Sequence, residues 1–267
     1  MHIMDNSLNR MLGSAKLGNL SQKNAITLLS KLSDNKVDQI DTAPSYPRSE
    51  YRIGGYMRCN PNSGLKIFTK FGRETQTLTK AELRDSLSLS LKRLRVNEIY
   101  GISVHNRNES EINEDVFEEV LYLKDCGLIS KFGWSGDWEN RPLKTLQHYD
   151  FVMLPVNPYI TEVTQNLKKI DIPLIAMNPF ANFFWNYKSW GRFEKIYNER
   201  LLKKFNPYPR KYLEHDFSTK KNIKELLEFI LKKDGLASIC FGSTRLNHVE
   251  EICRIIDQYE TQIDFSN

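Results

Sequence analysis

Short runs of consecutive apolar residues alternate along the chain with longer stretches in which apolar positions recur every three or four residues. The first pattern suits a strand buried on both faces, and the second a helix with one apolar stripe. Eight runs read as strands, at residues 11–18, 37–43, 65–72, 98–106, 128–136, 151–158, 172–179 and 237–243. Helical patterns lie between them at 21–33, 49–58, 79–94, 113–126, 140–149, 161–170 and 221–233, and a last one runs over 246–259. Thr79, with Glu82 three residues on, fits a capping box at the start of the third helix.

Eight strand–helix units predict an α/β fold, a (β/α)8 TIM barrel, with residues 1–267 forming a single domain. The competing doubly wound sheet normally carries a glycine-rich loop after its first strand. Here that place is filled by LGNLSQK, which has no GxGxxG. One segment departs from the rhythm: residues 181–221, after the seventh strand, are rich in aromatic and basic residues. A loop of that length at a barrel mouth is a lid or substrate wall, or a partly helical excursion packing its aromatics for stability. Glu194, Glu199, Glu214 and Asp216 interrupt its positive charge, which argues against a nucleic-acid surface.

Composition changes this picture little. Thirty-eight basic and 33 acidic residues leave a net charge of +5, too mild for a nucleic-acid signature. No apolar run approaches the roughly 18 residues of a membrane span. The first residues, MHIMDNSLNRML, lack the pattern of a secretion signal, so the expected location is cytoplasmic. Cys59, Cys126, Cys240 and Cys253 show no CxxC spacing and read as reduced, mostly buried thiols, Cys126 and Cys240 lying in apolar surroundings. The five histidines are scattered, so no metal site is expected. No helical seam argues for an oligomer.

The chemistry concentrates in IDTAPSY, IFTK and ISVH, which place Asp41, Tyr46, Lys70 and His105 at or beside the ends of predicted strands. In a parallel barrel those ends form the active-site mouth, so distant positions converge there. A tyrosine hydroxyl titrates near ~10, and a nearby ammonium makes its ionised form less costly. Together the four suit proton donation to a carbonyl oxygen. Singly they have plainer roles: a structural ion pair, a packing tyrosine, a core histidine.

DTAPSY, followed by SE and IG through residue 54 and by TK at 69–70, resembles the aldo-keto reductase superfamily. LGSAKLG is similar to that family's opening strand, LSLSLKRL to its SL-x-RL helix, SVH to its histidine strand, FGWSG to its G-x-S-N segment and FGSTRLNHVEEI to its cofactor-adenosine segment. The resemblance implies a catalytic tetrad: Tyr46 as general acid, Lys70 stabilising the tyrosinate, Asp41 holding Lys70, and His105 orienting the carbonyl. It implies NADPH as cofactor, with NADH the alternative, and a small-molecule carbonyl substrate, sugar-like or aromatic, walled by residues such as Phe184, Trp185 and Trp190. The implied cofactor contacts are Ser135 to the carboxamide, with Ser14, Asp41, Met153, Met177 and Asn178 around the ring. Gly242, Ser243, Thr244 and Arg245 would meet the adenosine phosphate, Arg245 its 2′-phosphate, with His248 and Glu251 flanking the adenosine.

The chain also departs from the family pattern. Met153 replaces a glutamine, Met177 an aromatic, Gly136 an asparagine, Pro47 a glycine and Gly242 a basic residue. Two readings besides a working reductase therefore stand: a related barrel that binds a ligand or partner with little or no turnover, and a hydrolase or lyase using Asp41 and His105 without a dinucleotide.

Overall fold

A computed structural model describes residues 8–73, 77–142, 144–157, 172–180, 223–233 and 235–264. Eight parallel strands close into a barrel in chain order, the TIM barrel expected from the alternation. They are β1 (Asn9–Gly13), β2 (Val37–Asp41), β3 (Lys66–Phe71), β4 (Ile99–His105), β5 (Ile129–Ser135), β6 (Phe151–Pro155), β7 (Leu174–Met177) and β8 (Leu236–Gly242). Around them lie α1 (Gln22–Leu29), α2 (Ser49–Cys59), α3 (Lys80–Leu94), α4 (Asp115–Asp125), α5 (Ile223–Leu231) and α6 (Leu246–Asp264). No described helix is long and apolar enough to cross a membrane.

Local chemistry sets the helix starts. The Ser21 hydroxyl accepts from the Asn24 amide at 3.2 Å. Thr79 and Glu82 form the reciprocal box read from the sequence, the Glu82 amide reaching Thr79 Oγ1 at 3.4 Å and the Thr79 amide reaching Glu82 Oε2 at 3.1 Å.

Two apolar clusters hold the barrel. The larger lies between strands and helices; the smaller, Met11, Phe68, Phe151, Met153, Ile175 and Cys240, fills the interior. The interior shows how size is balanced across strands. A Cβ on Gly101 would lie 2.4 Å from the Phe68 ring, and one on Gly133 2.3 Å from the Phe151 ring. The absent side chains on β4 and β5 thus leave the space two phenylalanines occupy, with ring centres 5.4 Å apart at 79°. At the opposite end from the strand C-termini, buried Arg10 on β1 reaches Asp257 (2.8 Å) and Glu260 (2.9 Å) on α6, tying the first strand to the last helix.

Several expectations are corrected. The first strand ends at Gly13, five residues short of the expected limit, and Leu17–Asn19 form a 3-10 turn. No helix forms over 140–149: the described residues there make only 3-10 turns at Trp138–Asn140 and Leu146–His148. Pro142 has no amide hydrogen and holds Arg141 extended (φ −60°, ψ 144°). Beyond it, Glu109 Oε1 captures the amides of Lys144 and Thr145 at 2.7 Å each and the Thr145 hydroxyl at 2.8 Å, so the carboxylate takes donors a helix start would leave exposed. Cys59 and Cys126 are exposed, and only Cys240 and Cys253 are buried. Cys126 caps the C-terminus of α4, after its last buried residue, Leu123. The helix expected at 161–170 and the segment 181–221, with Phe184, Trp185 and Trp190, lie outside the described residues.

Candidate active site

Asp41 closes β2, Lys70 lies near the end of β3, His105 closes β4, and Tyr46 sits in the loop between β2 and α2. Parallel pairing brings the three strand residues to one end of the barrel. Lys70 is level with Ser103 on β4, and His105 with Ser135 on β5. The Lys70 ammonium is buried, ion-paired with Asp41, and donates to the Thr42 carbonyl at 2.9 Å. It lies 5.1 Å from the centre of the Tyr46 ring. The Tyr46 and His105 rings meet edge to face with centres 6.4 Å apart. Asp41 and Lys70 are buried, whereas Tyr46 and His105 are half-buried, so two ring donors reach the mouth above a sunken charge pair.

A turn holds Tyr46, with its amide on the Ala43 carbonyl (3.0 Å) and its carbonyl receiving the Ser49 amide (3.1 Å). Beneath it, Ser49 Oγ lies 2.6 Å from Ser14 Oγ, and Thr42 donates to it at 3.1 Å. This buried hydroxyl cluster pins the start of α2 to the ends of β1 and β2. Arg48 follows Pro47 with a left-handed φ of 58°, an uncommon conformation for a residue with a side chain.

The electrostatics separate the four groups. Burial is the largest influence on Lys70 and opposes its charge, but Asp41 and Tyr46 together hold its pKa above the ordinary lysine value. Burial raises the Asp41 carboxyl, against the pull of Lys70. Burial likewise raises Tyr46, again partly offset by Lys70, so the phenol is protonated at neutral pH. His105 is pushed down to about 3 by burial, then by the positive charges of Lys70 and Arg73, and its ring is neutral. Cys240, buried on β8 opposite Met11 of β1, is raised well above the usual thiol range by burial and by Asp41.

The residues assigned to the cofactor fall into two groups. Ser135, buried at the end of β5, is level with Met153 on β6, and its hydroxyl bonds to no described residue. Met153 is 1% exposed and belongs to the barrel interior, while Met177 is half-buried and packs against that cluster. Asn178 follows β7 with a φ of 51°, its carbonyl receiving Asn157 Nδ2 at 3.2 Å. Ser14 is buried, with its hydroxyl on Ser49 and its amide on the Asp41 carbonyl at 2.9 Å. The second group lies around the ends of β8 and β1 and the start of α6. Gly242 and Gly13 pair at the ends of β8 and β1, and a Cβ on Gly242 would meet nothing nearer than the Gly13 carbonyl at 3.6 Å. Bare backbone therefore opens beside α6, whose 19 residues start at Leu246. Ser243 Oγ accepts the Arg245 amide at 3.0 Å, Thr244 is half-buried, and the Arg245 side chain is exposed. His248 and Glu251 lie half-buried on the first turns of that helix.

Three residues that the sequence did not single out shape the mouth. A Cβ on Gly136 would lie 2.7 Å from Asn106 Oδ1 and 2.6 Å from the Trp134 ring, so those side chains fill the place of the family's asparagine. Asn106 (φ 53°) accepts the Asp137 amide at 3.1 Å and the Asn140 side-chain amide at 3.2 Å, ordering the loop after β5. Glu50, buried at the start of α2, accepts the Thr69 hydroxyl at 2.9 Å and Arg93 at 3.3 Å, joining α2 to the residue before Lys70. Arg73 reaches Ser45, beside Tyr46, at 3.3 Å. Each depends on left-handed turns or long-range contacts, and only the SE pair containing Glu50 left a trace in the sequence.

The aldo/keto reductase family model matches residues 11–265. No curated protein matches the chain. Among solved structures, a protein from Pseudomonas aeruginosa described as an aldo-keto reductase is 23% identical, with a TM-score of 0.68 and coverage of 93% of this chain and 89% of its own. An aldo-keto reductase from Bacillus halodurans in its holo form is 17% identical (TM-score 0.69, 94% and 86% covered). One from Klebsiella pneumoniae in complex with NADPH is also 17% identical (TM-score 0.69, 97% and 90% covered). At these identities the structures share the fold with this chain.

Proposed function

The chain belongs to the aldo/keto reductase family, and on that premise we propose that it is an NADPH-dependent oxidoreductase that reduces an aldehyde or ketone, or runs the reverse oxidation, through Tyr46, Lys70, Asp41 and His105. The observation that carries the reading is the buried Lys70 ammonium 5.1 Å from the Tyr46 ring, with only Tyr46 and His105 of the four reaching the mouth. The residues present fit a dinucleotide. The unbonded Ser135 hydroxyl suits a carboxamide, and the bare Gly13–Gly242 backbone beside the start of α6 suits a phosphate. Arg245, exposed just before α6, is our candidate for the 2′-phosphate contact that would separate NADPH from NADH.

A bound reduced nicotinamide supplies hydride to the carbonyl carbon. The protein's part is at the oxygen. Tyr46, protonated at neutral pH, donates its phenolic proton there. The tyrosinate left behind faces the Lys70 ammonium, which Asp41 keeps charged and fixed. His105, neutral, offers a ring N–H to the same oxygen and stays out of the charge balance. Preorganised donors of this kind contribute roughly 2.7–4 kcal/mol each where charge develops.

The test is a titration of tryptophan fluorescence with NADPH and NADH, followed by NADPH oxidation against a panel of aldehydes. Micromolar NADPH binding, weaker NADH binding and turnover support the reading. Tyr46→Phe should bind NADPH as the parent does yet lose carbonyl reduction by at least a hundredfold, because the hydroxyl serves the transition state; equal turnover in that variant refutes the acid assignment. A second reading, a barrel that binds a ligand with little or no turnover, draws on Gly136, whose side-chain space Trp134 and Asn106 fill, and on Met153, sunk into the barrel. NADPH binding without turnover of any carbonyl would favour it.

A further inference from the structure

Resting on the reductase reading, we propose that Arg73 forms an anion subsite beside the tetrad and selects carbonyl substrates that carry a carboxylate. The charges at the mouth lead there. Lys70 is neutralised by Asp41, and Arg107 lies 3.7 Å from Glu111. Asp137 is engaged by Asn106, and Arg141 lies over the Trp138 ring at 3.8 Å. Arg73 makes no ion pair with any described residue; its one bond is from Nη1 to the Ser45 hydroxyl at 3.3 Å. Ser45 adjoins Tyr46, so that bond holds the guanidinium beside the loop that carries the acid.

The backbone that carries Arg73 is fixed rather than loose. Gly72 before it has a φ of 83°, and a Cβ there would lie 2.1 Å from the Leu78 side chain. Arg107 Nε grips the Gly72 carbonyl at 2.6 Å. The Trp134 indole in turn grips the Arg107 carbonyl at 2.9 Å, and Trp134 is fully buried. A chain of bonds from the barrel wall thus presents at the rim the Arg73 guanidinium, which has no ion pair among the described residues. A guanidinium matches a carboxylate with two parallel N–H donors, and a substrate bearing one would set its carbonyl toward Tyr46.

The experiment compares 4-formylbenzoate with its uncharged methyl ester in the parent and in Arg73→Ala, so that the ester's more electrophilic aldehyde cancels between the two proteins. The kcat/KM ratio of acid to ester should fall about two- to fivefold from the parent to Arg73→Ala, the scale of an exposed charge pair. The change should lie mostly in KM and shrink as salt is raised. Arg73→Lys should keep part of the preference. A ratio that Arg73→Ala leaves unchanged, with an equal loss or no loss for both aldehydes, overturns the proposal while leaving the reductase reading in place. Terephthalate, which cannot be reduced, reads the subsite without turnover. Quenching of tryptophan fluorescence that Arg73→Ala abolishes supports it, and no binding at millimolar concentration overturns it. Failure of the reductase reading shows separately, as no NADPH oxidation with either aldehyde.

Discussion

Gly18 lies outside the tetrad, yet it decides where Tyr46 can sit. A Cβ there would fall 1.7 Å from the Pro47 carbonyl oxygen and 2.8 Å from its carbon. The obstacle is backbone, so the 43–48 loop must move if Gly18 gains a side chain. Misplacing a catalytic group by about 1 Å can cost on the order of a hundredfold in rate. We expect Gly18→Ala to lower kcat/KM by that order while NADPH affinity, read by fluorescence titration, stays within a few fold. Parent-like kinetics in the variant would show that the loop has another course. Asp41, Lys70 and His105 were legible in the sequence because each sits at the edge of a strand whose ends a barrel must align. Gly18 read only as the last residue of a strand, since its role depends on a loop 29 positions further on. Arg73 and Asn106 were hidden for a similar reason: each depends on a left-handed residue, Gly72 or Asn106 itself, and periodicity carries no signal for a turn of that kind.

Among the elements, α2 bears most directly on the site, because its first residues anchor the hydroxyl cluster and Glu50. Gly54 lets it sit there. A Cβ on Gly54 would lie 2.0 Å from the Arg93 carbonyl at the end of α3. Glycine inside a helix costs about 1 kcal/mol relative to alanine, so propensity alone makes Gly54→Ala stabilising. Overpacking against a rigid carbonyl costs typically 1–3 kcal/mol, sometimes more. At 2.0 Å the clash should win, and we expect urea denaturation to show a net loss of about 1–2 kcal/mol. A more stable variant would mean that α2 and α3 can part without cost. Strands were easier to read than crossovers. A buried strand needs only consecutive apolar residues, whereas the stretch at 140–149 kept a helical period despite Pro142 and Glu109. The proline was visible in the sequence. The carboxylate 35 and 36 positions back, holding the amides of Lys144 and Thr145, was not.

Across the whole molecule the two ends of the barrel carry opposite electrostatic designs. At one end Arg10, buried, is bonded to two partly exposed carboxylates and raises no conflict with folding. At the other, burial and two cations press His105 down to about 3. The unfolded chain restores that ring to about 6.5. Below 6.5 the unfolded state therefore binds a proton that the native state refuses, and stability falls as pH drops from 6.5 toward 3; above 6.5 the contribution is fully present. The limiting loss is on the order of 5 kcal/mol. Asp41, raised by burial, works in the opposite sense at the bottom of that window, because its native form accepts a proton more readily than its unfolded form. Comparison with His105→Asn isolates the histidine. We expect the urea midpoint of the parent to fall between pH 6.5 and 4, and that of the variant to fall distinctly less. If both fall in parallel, His105 takes up its proton in the native state over the same acid range as in the unfolded chain. That result would also change the mechanism, because an imidazolium would compete with Tyr46 to protonate the carbonyl oxygen.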